Sequence, residues 1–292
     1  MRPHLAAVIY FCAIVSSSAF GQNADTAPMV EEYRFGTFVA AEAISTDHFG
    51  NIFIADAGTS TLQKFDIRGQ KLTEVGGPGW DNERFDRPMG VDASPGIAVY
   101  VADMGNNRIS RFDRDLHFMA ALNGDDENIG PGFGYPMDVA QSSLEQLFIL
   151  DGENGRVLAV SGFKAVDRVF GDIGSGDGRL QNPVALATDG AKMLYVLESG
   201  RVVVFDYFGN FIRQFGRGIL SDAKGLAVTA DITLVVSPDT LHFFSPAGDH
   251  LRSVDRMGMI LAGETGQFRD AIYTSPFLLI LTTHSCILFP SM

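Results

Sequence analysis

The sequence predicts an all-β chain closed into a six-bladed β-propeller of four-stranded antiparallel blades, on three observations. A strand–loop–strand hairpin recurs six times, and its first four copies are spaced by 47, 48 and 47 residues, counted from Asp56 to Asp103, Asp151 and Glu198. Glycine is heavy, at 32 of 292 residues, with 12 prolines, which suits many short strands broken by turns and suits a helical bundle poorly. The last repeat lacks a fourth strand at the C-terminus, while a segment with the pattern of one stands near the N-terminus.

The chain opens with Met1, Arg2, Pro3 and His4, followed by a nearly apolar run from Leu5 to Val15 and small residues up to Gly21. This is the layout of a cleaved signal peptide over 1–21, with the cut after Ala19 or Gly21. The run is too short for a spanning helix, which needs roughly 20 apolar residues. Cys12 lies inside the run, so it does not form a lipobox. It leaves with the signal, so Cys286 remains as the only thiol and no intramolecular disulfide is expected. No Asn-x-Ser/Thr sequon occurs, in keeping with a bacterial periplasmic or secreted protein. Residues 22–30 read as a linker and 31–292 as a single propeller domain.

The hairpins are 54–66, 101–113, 149–161, 196–206, 235–245 and 280–290. Each follows a short apolar strand, centred near Ile44, Val91, Val139, Leu186, Leu226 and Ile272. Each of the first five precedes a further strand, at 72–76, 119–123, 166–170, 212–215 and 251–254. Four strands in 40 to 48 residues make one propeller blade. The segment 32–36 ends in Phe35-Gly36, as the fourth strand of the fourth unit ends in Phe215-Gly216. It is expected to complete the last blade and close the ring, which removes the open sheet edges.

The hairpin Val101-Ala-Asp-Met-Gly-Asn-Asn-Arg-Ile-Ser-Arg-Phe-Asp113, its preceding Pro88-Met-Gly-Val-Asp92 and the connection 170–183 resemble NHL repeats. The resemblance covers 31–292 and is strongest in the first three units. It implies the propeller fold. It is nearly silent on activity, because NHL-type propellers include RNA binders, protein-binding ectodomains, an amidating lyase and lactonase-like relatives.

The formal net charge is −13 and no run of Lys or Arg appears, which opposes nucleic acid and anionic membrane surfaces as partners. Asp56, Asp103, Asp151 and Glu198 recur at the start of the hairpin loop, and Arg108, Arg156 and Arg201 at its end. Residues that repeat in every unit are expected to serve the unit, by fixing the turn. The glycine-rich stretch 171–178 reads as a blade connection, since no Gly-Lys-Ser/Thr follows it. His48, His117 and His250 fall in loops on one face, His242 in a strand and His284 on the other face. This scatter departs from the metal-binding histidines that the resemblance to amidating lyases implies. No Gly-x-Ser-x-Gly elbow occurs.

Irregular residues are the better candidates for a ligand site. Trp80, the only tryptophan, and Arg84 lie in one blade-connecting loop; Asp125, Asp126 and Tyr135 lie in the next, with Asp138 at the start of an inner strand. These six are the expected ligand-binding residues, on the face formed by hairpin loops and blade connections, called the top face here. The expected function is an exported, non-catalytic binding or scaffold module for a protein or cell-envelope ligand, without nucleic-acid contact, membrane insertion, catalytic residues or cofactor. The alternative is a hydrolase or lactonase-like enzyme with a divalent cation in the central channel, its nearest ligands being Asp138, Asp270 and Glu42. Lys224, at the equivalent position of the fifth unit, opposes a metal there and is expected to pair with Asp270.

Overall fold

The structure, a computed structural model, describes residues 28–263 and 265–290, so the expected signal peptide lies outside the described residues. Six four-stranded antiparallel sheets follow one another along the chain. Blade 1 is typical: Ala41–Thr46, Ile52–Asp56, Thr61–Phe65 and Lys71–Gly76, running from the channel outward.

The burial of the strands follows from their position in the blade. Second strands such as Ile52–Asp56 and Leu147–Asp151 are buried at every residue, because a neighbouring blade covers each face. They therefore read as continuous apolar runs. The outer strand Lys71–Gly76 is half solvated and carries Lys71, Thr73 and Glu74. Between blades the apolar side chains form clusters that join consecutive sheets, such as Phe148, Phe170, Leu194, Val203 and Phe205. A phenylalanine ending each of several fourth strands packs on one from the third strand of the next blade. Ring centroids are 5.3 Å apart for Phe35 and Phe65, 5.1 Å for Phe170 and Phe205, and 5.1 Å for Phe215 and Phe244. The glycine after these residues has a positive φ, +75° at Gly36, +80° at Gly171 and +87° at Gly216, where the chain leaves the blade in a left-handed conformation.

The N-terminal strand closes the ring as expected. Tyr33–Phe35 pairs antiparallel with Cys286–Pro290, in the register Tyr33↔Leu288, Arg34↔Ile287 and Phe35↔Cys286. The expected linker also contributes a short strand. Met29–Val30 pairs in parallel with Met259–Ile260 in the connection from blade 5 to blade 6, and Met29 is buried in the core between those blades.

On the top face the repeated carboxylates fix each blade connection. Asp56 accepts from the N–H groups of Val39 and Ala40, Asp103 from Asp86, Asp151 from Gly134 and Glu198 from Gln181 and Asn182. Their arginine partners reach over the same connection: Arg108 donates to the carbonyls of Trp80, Asp81 and Arg84, Arg156 to Gly132, and Arg201 to Arg179.

Candidate active site

The first strands of the six blades line a central cavity of about 490 Å³. The strands of blades 2 to 4 begin with Pro88, Pro136 and Pro183, a position where a missing N–H is tolerated. In blades 1, 2, 3, 4 and 6 the pairing with the second strand slips after the first residue, for example between Pro88 and Gly90 and between Phe268 and Asp270. The residue in each bulge is Glu42, Met89, Met137, Val184 or Arg269, and all five line the cavity. Bulges re-aim side chains in this way beside functional sites. Lys224, just before the fifth first strand, completes the ring at the mouth.

That ring has two unlike halves. Blades 5, 6 and 1 supply Lys224, Arg269 and Glu42, while blades 2, 3 and 4 supply Met89, Met137 and Val184. Arg269 Nη2 lies 3.4 Å from Glu42 Oε1, with side chains 22% and 18% exposed. Burial raises the Glu42 carboxyl above the usual range; Arg269, Lys224 and Arg87 pull it back down. The charged arc thus holds a carboxyl of enhanced basicity beside two cations, opposite an apolar arc.

One residue further in, the ring is Ala43, Gly90, Asp138, Ala185, Gly225 and Asp270. The two aspartates stand three blades apart in the same arrangement. Asp138 accepts from the N–H of Val139 at 2.8 Å and of Leu186 in blade 4 at 2.9 Å. Asp270 accepts from the N–H of Ala271 at 2.8 Å and of Ile44 in blade 1 at 3.1 Å. The preceding blade leaves room for each: a Cβ on Gly90 would stand 2.3 Å from Asp138 Oδ1, and one on Gly225 2.5 Å from the Asp270 Cα. Burial raises the pKa of both carboxyls, that of Asp270 to about 7.

The expected pairing of Lys224 with Asp270 is corrected. Lys224 Nζ contacts Asp222 Oδ1 at 2.7 Å, and backbone N–H groups occupy Asp270 instead. A divalent cation also finds no ligand set. No group of three or more His, Cys, Asp or Glu is placed to hold a metal among the described residues. His242 bridges to Ser253 at 2.9 Å within blade 5, and His117 pairs with Asp113 at 3.0 Å in an outer turn. The residues present do not fit the metal centre implied by the resemblance to amidating lyases.

The six residues expected to bind a ligand do not form one cluster. Trp80 is 82% exposed and Tyr135 54% exposed, on successive top-face connections. Arg84 donates to the Gly76 carbonyl of its own loop, and Asp126 caps a short 3-10 turn by accepting from Asn128. Asp125 is exposed on the same connection, and Asp138 lies in the channel wall. The mouth residues Met89, Met137 and Arg269 were missed because the bulges that turn them inward leave no mark in the sequence.

No family model matches the chain. It is 26% identical over 233 residues, 72% of its length, to a probable peptidyl-alpha-hydroxyglycine alpha-amidating lyase of Caenorhabditis elegans, and spans 64% of that relative. Among solved structures it resembles a streptogramin B lyase, with a TM-score of 0.60 at 9% identity, covering 88% of this chain and 96% of the other. It also resembles virginiamycin B lyase from Staphylococcus aureus (TM-score 0.62, 11% identity, 88% and 98% covered) and the WD40 propeller of Doa1 (0.61, 10%, 86% and 79%). At such identities the structural likenesses establish the six-bladed fold alone. The expectation of a non-catalytic binding module is overturned by the sequence relative, which is named as a probable lyase.

Proposed function

We propose that the chain is an enzyme that works at the top mouth of its central channel, by a lyase-type, acid–base elimination on a substrate with a carboxylate next to an apolar group. The carrying observation is the divided mouth: Glu42 and Arg269 at 3.4 Å with Lys224 on one arc, and Met89, Met137 and Val184 on the other. The relative's name gives a peptidyl-α-hydroxyglycine, whose terminal residue carries the carboxylate that the cationic arc suits.

The cationic arc holds the substrate carboxylate, and the apolar arc receives the neighbouring side chain. Glu42, made more basic by burial, takes the proton of the α-hydroxyl. The oxygen's electron pair forms the carbonyl as the C–N bond breaks, and the nitrogen receives the proton back from Glu42. The products are a peptide amide and glyoxylate. The repeat pattern of the hairpins supports an NHL-type propeller, and the N-terminal segment supports export to the periplasm or medium.

The test is glyoxylate release from benzoyl-α-hydroxyglycine by the purified chain. Turnover is expected, and Glu42→Gln should lower it by about a hundredfold or more. Absence of glyoxylate, or a Glu42→Gln variant as active as the parent, overturns the reading.

A further inference from the structure

A second cavity, of about 540 Å³, opens on the opposite, bottom face at the seam between blades 2 and 3. Its origin is visible by comparison with the other seams. At four of them a side chain from the third or fourth strand donates to the second carbonyl of the next blade's outer turn. Tyr33 donates to Ile67, Lys64 to Arg114 at 2.7 Å, Arg168 to Tyr207 at 3.1 Å and Arg213 to Pro246. At the blade 2–3 seam the fourth strand offers Ala120 and the third offers Arg111, the counterpart of Lys64; the equivalent carbonyl is that of Gly162, and this bond is not made.

The turn explains the difference. In blades 1, 2 and 4 an aspartate opens it: Asp66, Asp113 and Asp206 each accept two N–H groups of their own turn. In blade 5 Ser245 does the same work, its Oγ accepting from the N–H of Asp249, whereas in blade 3 the Ser161 hydroxyl donates to Asp167. The blade 3 turn then bends differently: φ is +58° at Gly162 and +55° at Phe163, whereas the other outer turns have their positive φ at the fourth residue, Gly69, Leu116, Gly209 and Gly248. A phenylalanine at positive φ is uncommon and costly. Phe163 is held there by its ring, 5.7 Å from that of Tyr100.

Arg111 is left stacked 5.9 Å above Tyr100, with no hydrogen bond or ion pair among the described residues and with its Nε shielded from solvent. It faces a cavity whose other walls include Ile97 and Leu144, exposed at 71% and 76%, Phe163 and Gln141. Glu145, also in the wall, is the opposing charge. We infer that this seam is a binding site for a small organic anion, a carboxylate on an apolar skeleton. Arg111 takes the carboxylate and Ile97, Leu144 and Phe163 take the apolar part. This site is separate from the channel mouth and does not rest on the activity proposed there.

Titration calorimetry of the full mature chain with benzoate tests it. One saturable site is expected, weakened by about tenfold or more in Arg111→Gln, since the variant loses a hydrogen bond to a charged group. Ile97→Asp, at an exposed loop tip, should weaken it too, and provides the test should Arg111→Gln fail to fold. Benzoate binding that is absent, or unchanged in these variants, overturns the proposal. So does binding that survives Arg111→Gln and is lost in Arg269→Gln, which moves it to the channel mouth. Inorganic phosphate bound as tightly as benzoate removes the apolar half and likewise overturns it.

Discussion

Asp270 accepts a hydrogen bond from the backbone N–H of Ile44 at 3.1 Å, tying the last blade to the first across 226 residues of sequence. Asp138 makes the same bond to Leu186, so two buried carboxyls clasp blade boundaries on opposite sides of the channel.

These clasps make stability depend on pH in a stated direction. Burial raises Asp270 to about 7 and raises Asp138 and Asp92 as well. An unfolded aspartate titrates near ~3.9. Between those values the folded chain keeps protons that the unfolded chain has released, so stability falls as pH rises from about 4 to about 7. One such group gives a slope of up to about 1.4 kcal/mol per pH unit. Urea unfolding of the mature chain should show higher stability at pH 5 than at pH 7. Asp270→Asn should reduce the slope; a slope identical to the parent's would mean that Asp270 does not keep its proton.

Removal of residues 22–37 should destabilise the whole ring. It removes the buried Phe35, whose burial against Phe65 contributes about 2–3 kcal/mol, and unpairs backbone groups of Cys286–Pro290, at roughly 1–3 kcal/mol each where shielded. A thermal midpoint lowered by roughly 10 °C or more is expected by calorimetry. An unchanged midpoint would show that ring closure does not need this strand.

Trp80 and Arg108 should respond in opposite ways although they lie in one assembly. The Trp80 side chain is 82% exposed, so Trp80→Ala should change stability by no more than about 0.5 kcal/mol. Arg108 holds the fully buried Asp103 at 2.9 Å and the carbonyls of three loop residues. Arg108→Met leaves that carboxylate buried without its partner and should cost about 3–5 kcal/mol in chemical unfolding.

Gly90→Ala should disturb the channel wall, because the added Cβ would meet Asp138 Oδ1 at 2.3 Å and its Cα at 2.7 Å. Gly50→Ala has open space around it and serves as a control for the positive φ of +82° that it alone would strain. Comparing the two by thermal unfolding, Gly90→Ala should be the more damaging, and equal losses would argue against tight packing on Asp138.

Turnover by the channel mouth should need an ionised Glu42. Since burial raises that carboxyl, the acid limb of the rate profile should lie above the ordinary glutamate range of about 4.3. Removing the neighbouring cation in Arg269→Gln should move the limb further up, because Arg269 is what lowers Glu42 most. A limb that stays in place would detach Glu42 from the rate.

The sequence by itself determined the blades, because a blade is a local object. Its hairpin, its turn aspartates and its Asp103–Arg108 type latch all fall within one unit of about 47 residues, and each leaves a repeated mark. The closing strand was legible for the same reason, as Phe35-Gly36 copies the ending of its counterparts. Only the tertiary structure decided the two candidate sites. The mouth takes a single side chain from each blade, and bulges in the pairing turn most of them inward; Glu42 and Arg269 meet only when the ring closes. The seam cavity depends on a hydrogen bond that Arg111 does not make, because the adjoining blade's turn takes another conformation, with Gly162 and Phe163 at positive φ. Both depend on geometry between blades, which periodicity within a blade does not encode.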